Sequence, residues 1–265
     1  MSGYLNGKLN LTLLGGYRGV GIGGVTTLRD ALYTDGVNDI PLRLDTDPGG
    51  LYVPPATGPF TMAGITWARS ANTRYAMRWA EQTTGALVGV NFQLGARYMQ
   101  LLIRNNSGTT VVNTFVDFGM SRLEEWIWWA AVRDAADLWK IYARPLGDAS
   151  WLSSSDGGDT YTGMPSDIDS LEIGAGANFN GNTAALIGVE RDLWASGEMD
   201  AWYASSQQLP LLGDDDGVRY PMERGGYPQA LDTGPNENHL TLSGYPGVGA
   251  AFPEGYPQND AGVPS

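Results

Sequence analysis

The sequence has no cysteine, only two lysines (Lys8 and Lys140) and one histidine among its 265 residues. Without cysteine, the chain can form neither a disulfide framework nor a thiolate zinc site. The single histidine, His239, lies in a segment rich in proline and glycine. This setting favours a surface side chain over the general base that Ser-His-Asp chemistry requires. No apolar run approaches the length of a membrane span, so we expect no membrane insertion.

Positive charge is also scarce, since the formal net charge is −13. A chain that binds nucleic acid through phosphate contacts needs a basic face, which argues against nucleic acid as a partner. Acidic chains favour cations, and Asp214, Asp215 and Asp216, followed by Gly217, form a candidate calcium site. Their spacing is not that of an EF-hand, so a solvated turn is the favoured alternative. We expect no other cofactor. The N-terminus lacks a basic region followed by an apolar core, so we expect no signal peptide.

Glycine and large aromatic residues, in contrast, are abundant, with 37 glycines, 13 tyrosines and nine tryptophans. Short runs of aromatic and β-branched residues alternate with Gly, Asn and Asp turns, which predicts an all-β protein. On Tyr98–Arg104, Met99, Leu101 and Ile103 share one face, with the period of a half-buried strand. The other predicted strands are Leu9–Leu14, a strand within Asp30–Asp39, Phe60–Arg69, Tyr75–Glu81, Leu87–Leu94 and Val111–Phe118.

Two residue runs give more specific expectations. In Phe60–Arg69 we expect Met62 and Ile65 to face one way and Trp67 to pack under the sheet. Trp126–Asp134 and Leu138–Arg144 form the clearest hairpin, and its WIWW run could suggest a sugar platform. Because tryptophan is mostly buried, we favour packing, with two of the tryptophans facing the core and the third covering a sheet edge. The polar loop Gly147–Ser166 is the expected place for a ligand at the rim of the sheets.

The segment Leu171–Tyr203 predicts a strand, glycine-rich turns, a second strand and one short helix. Ser196 is expected to cap the helix, with Glu198 and Asp200 in its first turn. Met199, Trp202 and Tyr203 would anchor the helix on the sheet. Retaining glycosidases need two carboxylates about 5 Å apart. Glu198 and Asp200 would diverge on a helix, and we therefore expect no enzymatic activity.

An internal repeat links the two ends of the chain. Leu-Thr-Leu and Gly-Tyr-x-Gly-Val-Gly occur in both Leu11–Gly21 and Leu240–Gly249, with one residue inserted in the first copy. The second strand could add to its own sheet edge, pair with a neighbouring copy of the chain, or lie loosely on the surface. Proline recurs in the tail that follows, which would be costly to order without a partner surface. We expect a sandwich in residues 1–206 and an extension in 207–265 that docks on its own or a neighbouring subunit.

These motifs resemble the LamG/concanavalin-A-like jelly roll. The resemblance rests on the order of elements in Leu171–Tyr203, on the Asp-Gly turn within Asp30–Asp39, on the Trp126 hairpin and on the Asp232–His239 segment before the second repeat. It covers about residues 5–206 and recurs at 232–249. The implied fold is an antiparallel β-sandwich with one short helix and an extended C-terminal tail. The metal-ligand pair of calcium-binding members is absent, which puts metal-dependent sugar binding in doubt.

Within that fold, the chain is most similar to structural proteins of tailed bacteriophages, namely minor tail proteins and capsid decoration proteins. This resemblance implies a non-enzymatic virion surface protein, assembled in the host cytoplasm with other virion proteins and copies of itself. A host glycan is a further expected partner. The alternative is a free carbohydrate-binding lectin-like module. The residues expected to tether the tail to a protein surface are Leu240, Thr241, Leu242 and Tyr245.

Overall fold

The structure is a computed structural model that describes 176 of the 265 residues, in nine ranges of the chain. These ranges are 32–35, 40–70, 74–154, 159–161, 164–174, 180–205, 217–220, 222 and 229–243. The predicted first strand, Leu9–Leu14, and the N-terminal copy of the repeat lie outside the described residues.

Within these residues the chain forms sixteen strands and one helix. The first nine strands are β1 (Leu32–Asp35), β2 (Ile40–Leu44), β3 (Phe60–Ser70), β4 (Arg74–Ala80), β5 (Leu87–Gln93), β6 (Tyr98–Arg104), β7 (Thr110–Asp117), β8 (Trp126–Arg133) and β9 (Leu138–Pro145). The others are β10 (Leu152–Ser153), β11 (Asp159–Thr160), β12 (Ser170–Ile173), β13 (Asn180–Val189), β14 (Gly217–Tyr220), β15 (Gln229–Ala230) and β16 (Leu240–Ser243). The helix α1 (Glu198–Ser205) follows β13.

The strands form two antiparallel sheets of eight strands each. The first sheet has the order β1-β13-β3-β8-β9-β10, with β11 also paired to β9 and β14 to β13. The second has the order β15-β16-β2-β12-β4-β5-β6-β7. Some neighbours are consecutive, such as β4 to β7, whereas others, such as β1 and β13 or β2 and β12, come from distant parts of the sequence, as in a jelly roll. The predicted all-β sandwich with one short helix is therefore confirmed.

The main hydrophobic core lies between the two sheets and follows from the alternation of side chains along each strand. On β6, Met99, Leu101 and Ile103 are fully buried in this core, as predicted. Trp79 packs its ring edge-to-face on Phe60, with the ring centroids 5.8 Å apart. The core thus holds the sheets together through large side chains from both of them.

A second apolar cluster covers the outer face of the first sheet, where α1 packs. Met199 and Trp202 of α1 are buried in it, and the Glu198 N–H donates to Ser196 Oγ over 3.4 Å. The predicted anchors Met199, Trp202 and Tyr203 are therefore confirmed. Gly197 stands directly before the helix, and its carbonyl accepts from the Ala201 N–H, so Ser196 lies one position before the cap site. The helix closes this outer face and leaves the corresponding face of the second sheet as the other large surface of the sandwich.

Two packing predictions were wrong, the first because residues three apart on a strand face opposite ways, and the second because α1 turns an outer face into a core. Met62 points into the main core, but Ile65 points with Trp67 into the second cluster, so Met62 and Ile65 face opposite ways. Of the three tryptophans in the WIWW run, only Trp129 faces the main core. Trp126 and Trp128 lie in the second cluster, and none of the three covers a sheet edge, since all are at most 1% exposed. Packing, rather than a sugar platform, is confirmed for them.

The C-terminal copy of the repeat adds to a sheet of its own chain. β16 pairs antiparallel with β2, with Thr241 opposite Leu42, and Leu240 is fully buried. Asp232 fixes the loop before β16 by accepting hydrogen bonds from the backbone N–H groups of Gly234 and Asn238. Strands β14 to β16, which follow the predicted boundary at residue 206, are thus hydrogen-bonded into the two sheets. The boundary itself stays a prediction.

Candidate ligand-binding face

The outer face of the second sheet is a broad surface that no described helix or strand covers, and we call it the open face. It is formed by the side chains that alternate with the core residues on β4, β5, β6, β7 and β12. Across the middle of the face, the register aligns Tyr75 of β4 with Asn91 of β5, Asn91 with Gln100 of β6, and Gln100 with Phe115 of β7. Side chains from four strands therefore meet in one row.

Four amide side chains form a hydrogen-bonded chain on this face. The Asn91 Nδ2 group donates to Gln100 Oε1 over 3.1 Å, and Gln93 donates to the same oxygen. Gln100 Nε2 in turn donates to Asn113 Oδ1. Each amide carries both a donor and an acceptor, so the chain presents mixed hydrogen-bonding groups along a line that crosses β5, β6 and β7.

Asn91 is the least expected member of this chain. Its side chain is 0% exposed, and its Oδ1 atom has no hydrogen-bond partner. Exchanging the oxygen and nitrogen of the Asn91 amide would place two acceptors, Asn91 Oδ1 and Gln100 Oε1, against each other. Exchanging those of Gln100 as well would restore that hydrogen bond but leave Asn91 Nδ2 without an acceptor. A buried polar atom without a partner costs free energy. The amide chain is therefore one hydrogen bond short at Asn91.

Aromatic side chains lie beside the amides at the β7 edge. Phe115 is 45% exposed, and its ring meets the Tyr98 ring edge-to-face with the centroids 5.5 Å apart. Arg97 lies over the Tyr98 ring at 5.0 Å and pairs with Asp117 at 3.0 Å. Hydrogen bonds from Arg97 and from the Gly119 N–H lower the pKa of the Asp117 carboxyl. This edge presents an accessible ring held between polar neighbours.

Tyr75 and an ion pair form the other side of the open face. Tyr75 lies over Gly89, where a Cβ atom would come within 2.7 Å of the tyrosine ring, so glycine leaves the room for it. Arg78 pairs with Glu172 at 2.8 Å, and Gln82 Nε2 donates to Glu172 Oε1 over 2.7 Å. Burial raises the pKa of the Tyr75 hydroxyl, although two nearby arginines oppose this change. Tyr75 is consequently neutral at physiological pH.

The residues that the sequence predicted to contact another protein or a metal are not among those of the open face. Leu240 and Thr241 belong to β16, and Leu240 contributes to the core rather than to an accessible surface. Leu242 pairs with Pro41 of the same chain. Contact of this strand with another subunit stays a prediction. Tyr245 and the candidate calcium ligands Asp214, Asp215 and Asp216 lie outside the described residues. Among the residues that the structure does describe, no group of three or more acidic, histidine or cysteine side chains is placed to hold a metal.

The other functional candidates from the sequence contribute hydrogen bonds, ion pairs or strands to the fold. Glu198 pairs with Arg191 at 2.7 Å, whereas Asp200 accepts a hydrogen bond from Trp151 Nε1 over 2.9 Å, so these two acids have separate partners on α1. His239 was predicted to be a surface side chain. It is instead partly buried, and its Nδ1 accepts from the Asp232 N–H over 3.1 Å. The polar loop Gly147–Ser166 contains β10 and β11, which pair with β9.

The amide chain was missed in the sequence because its members are separated along the chain and meet only through strand register. A signal was nevertheless present. Asn91 and Gln93 alternate with Val90 and Phe92 on β5, and Gln100 alternates with the predicted core residues of β6. That alternation places amides, rather than charged residues, on the outer side of adjacent strands.

No protein-family model matches the chain, and no curated protein matches its sequence. Among solved structures, it is similar to the heptameric SAP-like pentraxin from Limulus polyphemus, at 13% identity and a TM-score of 0.44, over 70% of this chain and 92% of that one. The IT-sialidase CBM40 from Ruminococcus gnavus, bound to α2,3-sialyllactose, matches at 8% identity and a TM-score of 0.47, over 67% of this chain and 98% of that one. Domains LG4-5 of the mouse laminin α1 chain match at 10% identity and a TM-score of 0.39, over 62% of this chain and 42% of that one. No described helix has the length and apolar character needed to span a membrane.

Proposed function

We propose that this chain is a non-enzymatic carbohydrate-binding module that holds an oligosaccharide on its open face. The observation that carries this proposal is the amide chain of Asn91, Gln93, Gln100 and Asn113, with one buried acceptor that lacks a partner. Jelly rolls serve both as lectin domains and as virion proteins, so the fold alone does not choose between these roles. The chemistry of the open face supports the carbohydrate-binding role.

The chemistry of the face suits sugar hydroxyls. Each hydroxyl both donates and accepts hydrogen bonds, as each amide does, so adjacent hydroxyls of a pyranose can pair with adjacent amides. A hydroxyl that displaces the Gln93 amide can donate to Gln100 Oε1 in its place. The accessible ring of Phe115 offers an apolar surface for the C–H face of the same sugar.

The acidic side chains on the open face support binding rather than catalysis. Glu172 is 3% exposed and is held by Arg78 and Gln82, and Asp117 is held by Arg97. A glycosidase needs one carboxyl kept protonated as an acid and a second placed as a nucleophile or base. The pKa of Asp117 is lowered, which opposes the acid role. We therefore infer binding without hydrolysis.

The test is a binding titration of an oligosaccharide panel against the whole chain and two variants. Gln100→Ala removes the centre of the amide chain, and Phe115→Ala removes the accessible ring. We expect each to weaken binding about fivefold to tenfold, the effect of one or two hydrogen bonds or one ring contact. Leu138→Ala is the matched control for Phe115→Ala, since Leu138 is 38% exposed on the other sheet. Equal affinity of all four proteins would refute the proposed site.

As a second proposal, this carbohydrate-binding module acts as a surface protein of a virion. It is supported by the resemblance in the sequence and by the repeated opening segment, of which one copy already fills its place in the sheet as β16. Removing 207–265 would also delete β14 to β16, so a cut after Ser243 is the sharper truncation. If the tail mediates assembly, sedimentation should show oligomers of the full chain and monomers of residues 1–243. Monomers of both would contradict it.

A further inference from the structure

The charges on the open face are balanced with one exception. Arg78 is paired with Glu172, and Arg97 is paired with Asp117. Arg104, at the end of β6, is partly buried, and the structure gives its side chain no ion pair or hydrogen bond with any described residue. Among the described side chains of the open face, Arg104 is therefore the one positive charge without a partner, on a chain whose formal net charge is −13.

The register places Arg104 on the same side of the sheet as the amide chain. Gln100, Leu102 and Arg104 alternate with the core residues of β6, and Arg104 pairs with Leu87 of β5 and Thr110 of β7. Leu87 and Leu102 form a small buried cluster with Tyr75 and Ala80. Burial raises the pKa of the Tyr75 hydroxyl, and the positive charge of Arg104 opposes that change.

An unpaired guanidinium beside a buried apolar cluster is an unusual arrangement on an acidic protein. Partial burial removes water from a charge, and this cost is offset when an opposite charge pairs with it. The guanidinium also presents several N–H donors in one plane, which match the two oxygens of a carboxylate. The remaining negative charge of the chain would repel an anion at most other places on the surface.

We infer that the open face selects a carboxylate-bearing oligosaccharide, whose carboxylate pairs with Arg104 while its hydroxyls meet the amide chain. This inference rests on the proposed function and names the ligand class of the same site. Arg104 is then a specificity-determining residue, and the amides supply binding that acidic and neutral sugars share.

The experiment compares acidic oligosaccharides with their own neutral forms. The probes are oligogalacturonate, oligoalginate and sialic-acid-terminated oligosaccharides, each tested beside the product in which its carboxyl groups have been reduced to alcohols. Affinities are measured by titration calorimetry with the whole chain, with Arg104→Gln and with Arg104→Lys. Lys140→Gln is the matched control, because it removes one positive charge from the other sheet, where Lys140 lies over the Tyr142 ring.

We expect at least one acidic probe to bind about tenfold more tightly than its reduced form, the effect of one charged hydrogen-bonded pair. Arg104→Gln should remove this preference without changing the affinity for the reduced form. Arg104→Lys should keep part of it, and Lys140→Gln should keep all of it. The preference should also decrease as salt is added.

Two results would overturn the inference, and they are distinguishable. If reduced probes bind as tightly as acidic ones and Arg104→Gln changes nothing, the ligand class is wrong while the carbohydrate-binding function stands. If no probe of either kind binds, the proposed function fails, and the inference fails with it. Circular dichroism of each variant verifies that the sandwich is folded.

Discussion

At the scale of single residues, buried polar groups in this sandwich are matched mainly by backbone atoms. Arg133 is 0% exposed, and its guanidinium donates to the carbonyl oxygens of Pro55, Ala56 and Gly58 at 2.6 to 3.1 Å. These bonds fix the segment between β2 and β3 against the end of β8. Burial lowers the pKa of Arg133, and the nearby Asp137 opposes that change. The arginine is structural, in contrast to the amides of the open face.

Replacing Arg133 with methionine should therefore destabilise the fold. Three carbonyl groups would lose their donors, and we expect the free energy of unfolding to fall by about 3 kcal/mol or more. Urea denaturation followed by tryptophan fluorescence measures this change. Arg144→Met is the control, since Arg144 is only partly buried on the neighbouring strand β9. Equal losses in both variants would contradict the role given to Arg133.

The pair of Arg97 and Asp117 gives a pH-dependent prediction. The lowered pKa means that the folded state favours the ionised carboxyl of Asp117. Any stability from this group is present above the unfolded pKa near 3.8 and is lost as the pH falls through the lower folded value. Carboxyl-detected NMR should place the Asp117 midpoint below 3.8, and Arg97→Gln should move it upwards. An unchanged midpoint in the variant would show that the pair does not hold the charge.

At the scale of elements, strand alternation was the most reliable guide in the sequence. β6 has the predicted bounds, Tyr98–Arg104, because Met99, Leu101 and Ile103 alternate with Gln100, Leu102 and Arg104 on the other face. On β8 every side chain is buried, so alternation could not tell which tryptophan faces which side. That assignment depends on α1, which covers the outer face only in the folded chain. Likewise, the amide chain depends on the register of three strands, which the sequence does not state.

Strand β16 provides a direct test of its placement within its own chain. Leu240 is fully buried, whereas the neighbouring Thr241 is exposed. Leu240→Ala should lower the free energy of unfolding by about 2 to 5 kcal/mol, as expected for a core leucine. Thr241→Ala should change it by about 0.5 kcal/mol or less. Thermal unfolding at low protein concentration measures both.

If β16 instead bound a neighbouring chain, the loss in Leu240→Ala would appear as weaker association. It would then depend on protein concentration. A loss that is independent of concentration supports pairing with β2 of the same chain.

At the scale of the whole molecule, the two outer faces of the sandwich differ in kind. The first sheet is covered by α1 and by an apolar cluster that contains Trp126, Trp128 and Trp202. The second sheet presents amides, aromatic rings and balanced ion pairs, without a described element across it. The sequence predicted the sandwich and its helix, but it pointed to the loop Gly147–Ser166 as the rim for a ligand. The open face is the better candidate, because its polar groups converge.

The most direct test of the proposed function is NMR mapping of the amide signals of the labelled chain during titration with the oligosaccharide panel. The account predicts shifts that saturate and that are confined to β5, β6 and β7, with the side-chain amides of Asn91, Gln93 and Gln100 among the largest. Shifts centred on Trp151 and the loop Gly147–Ser166, or no shifts with any oligosaccharide, would contradict it.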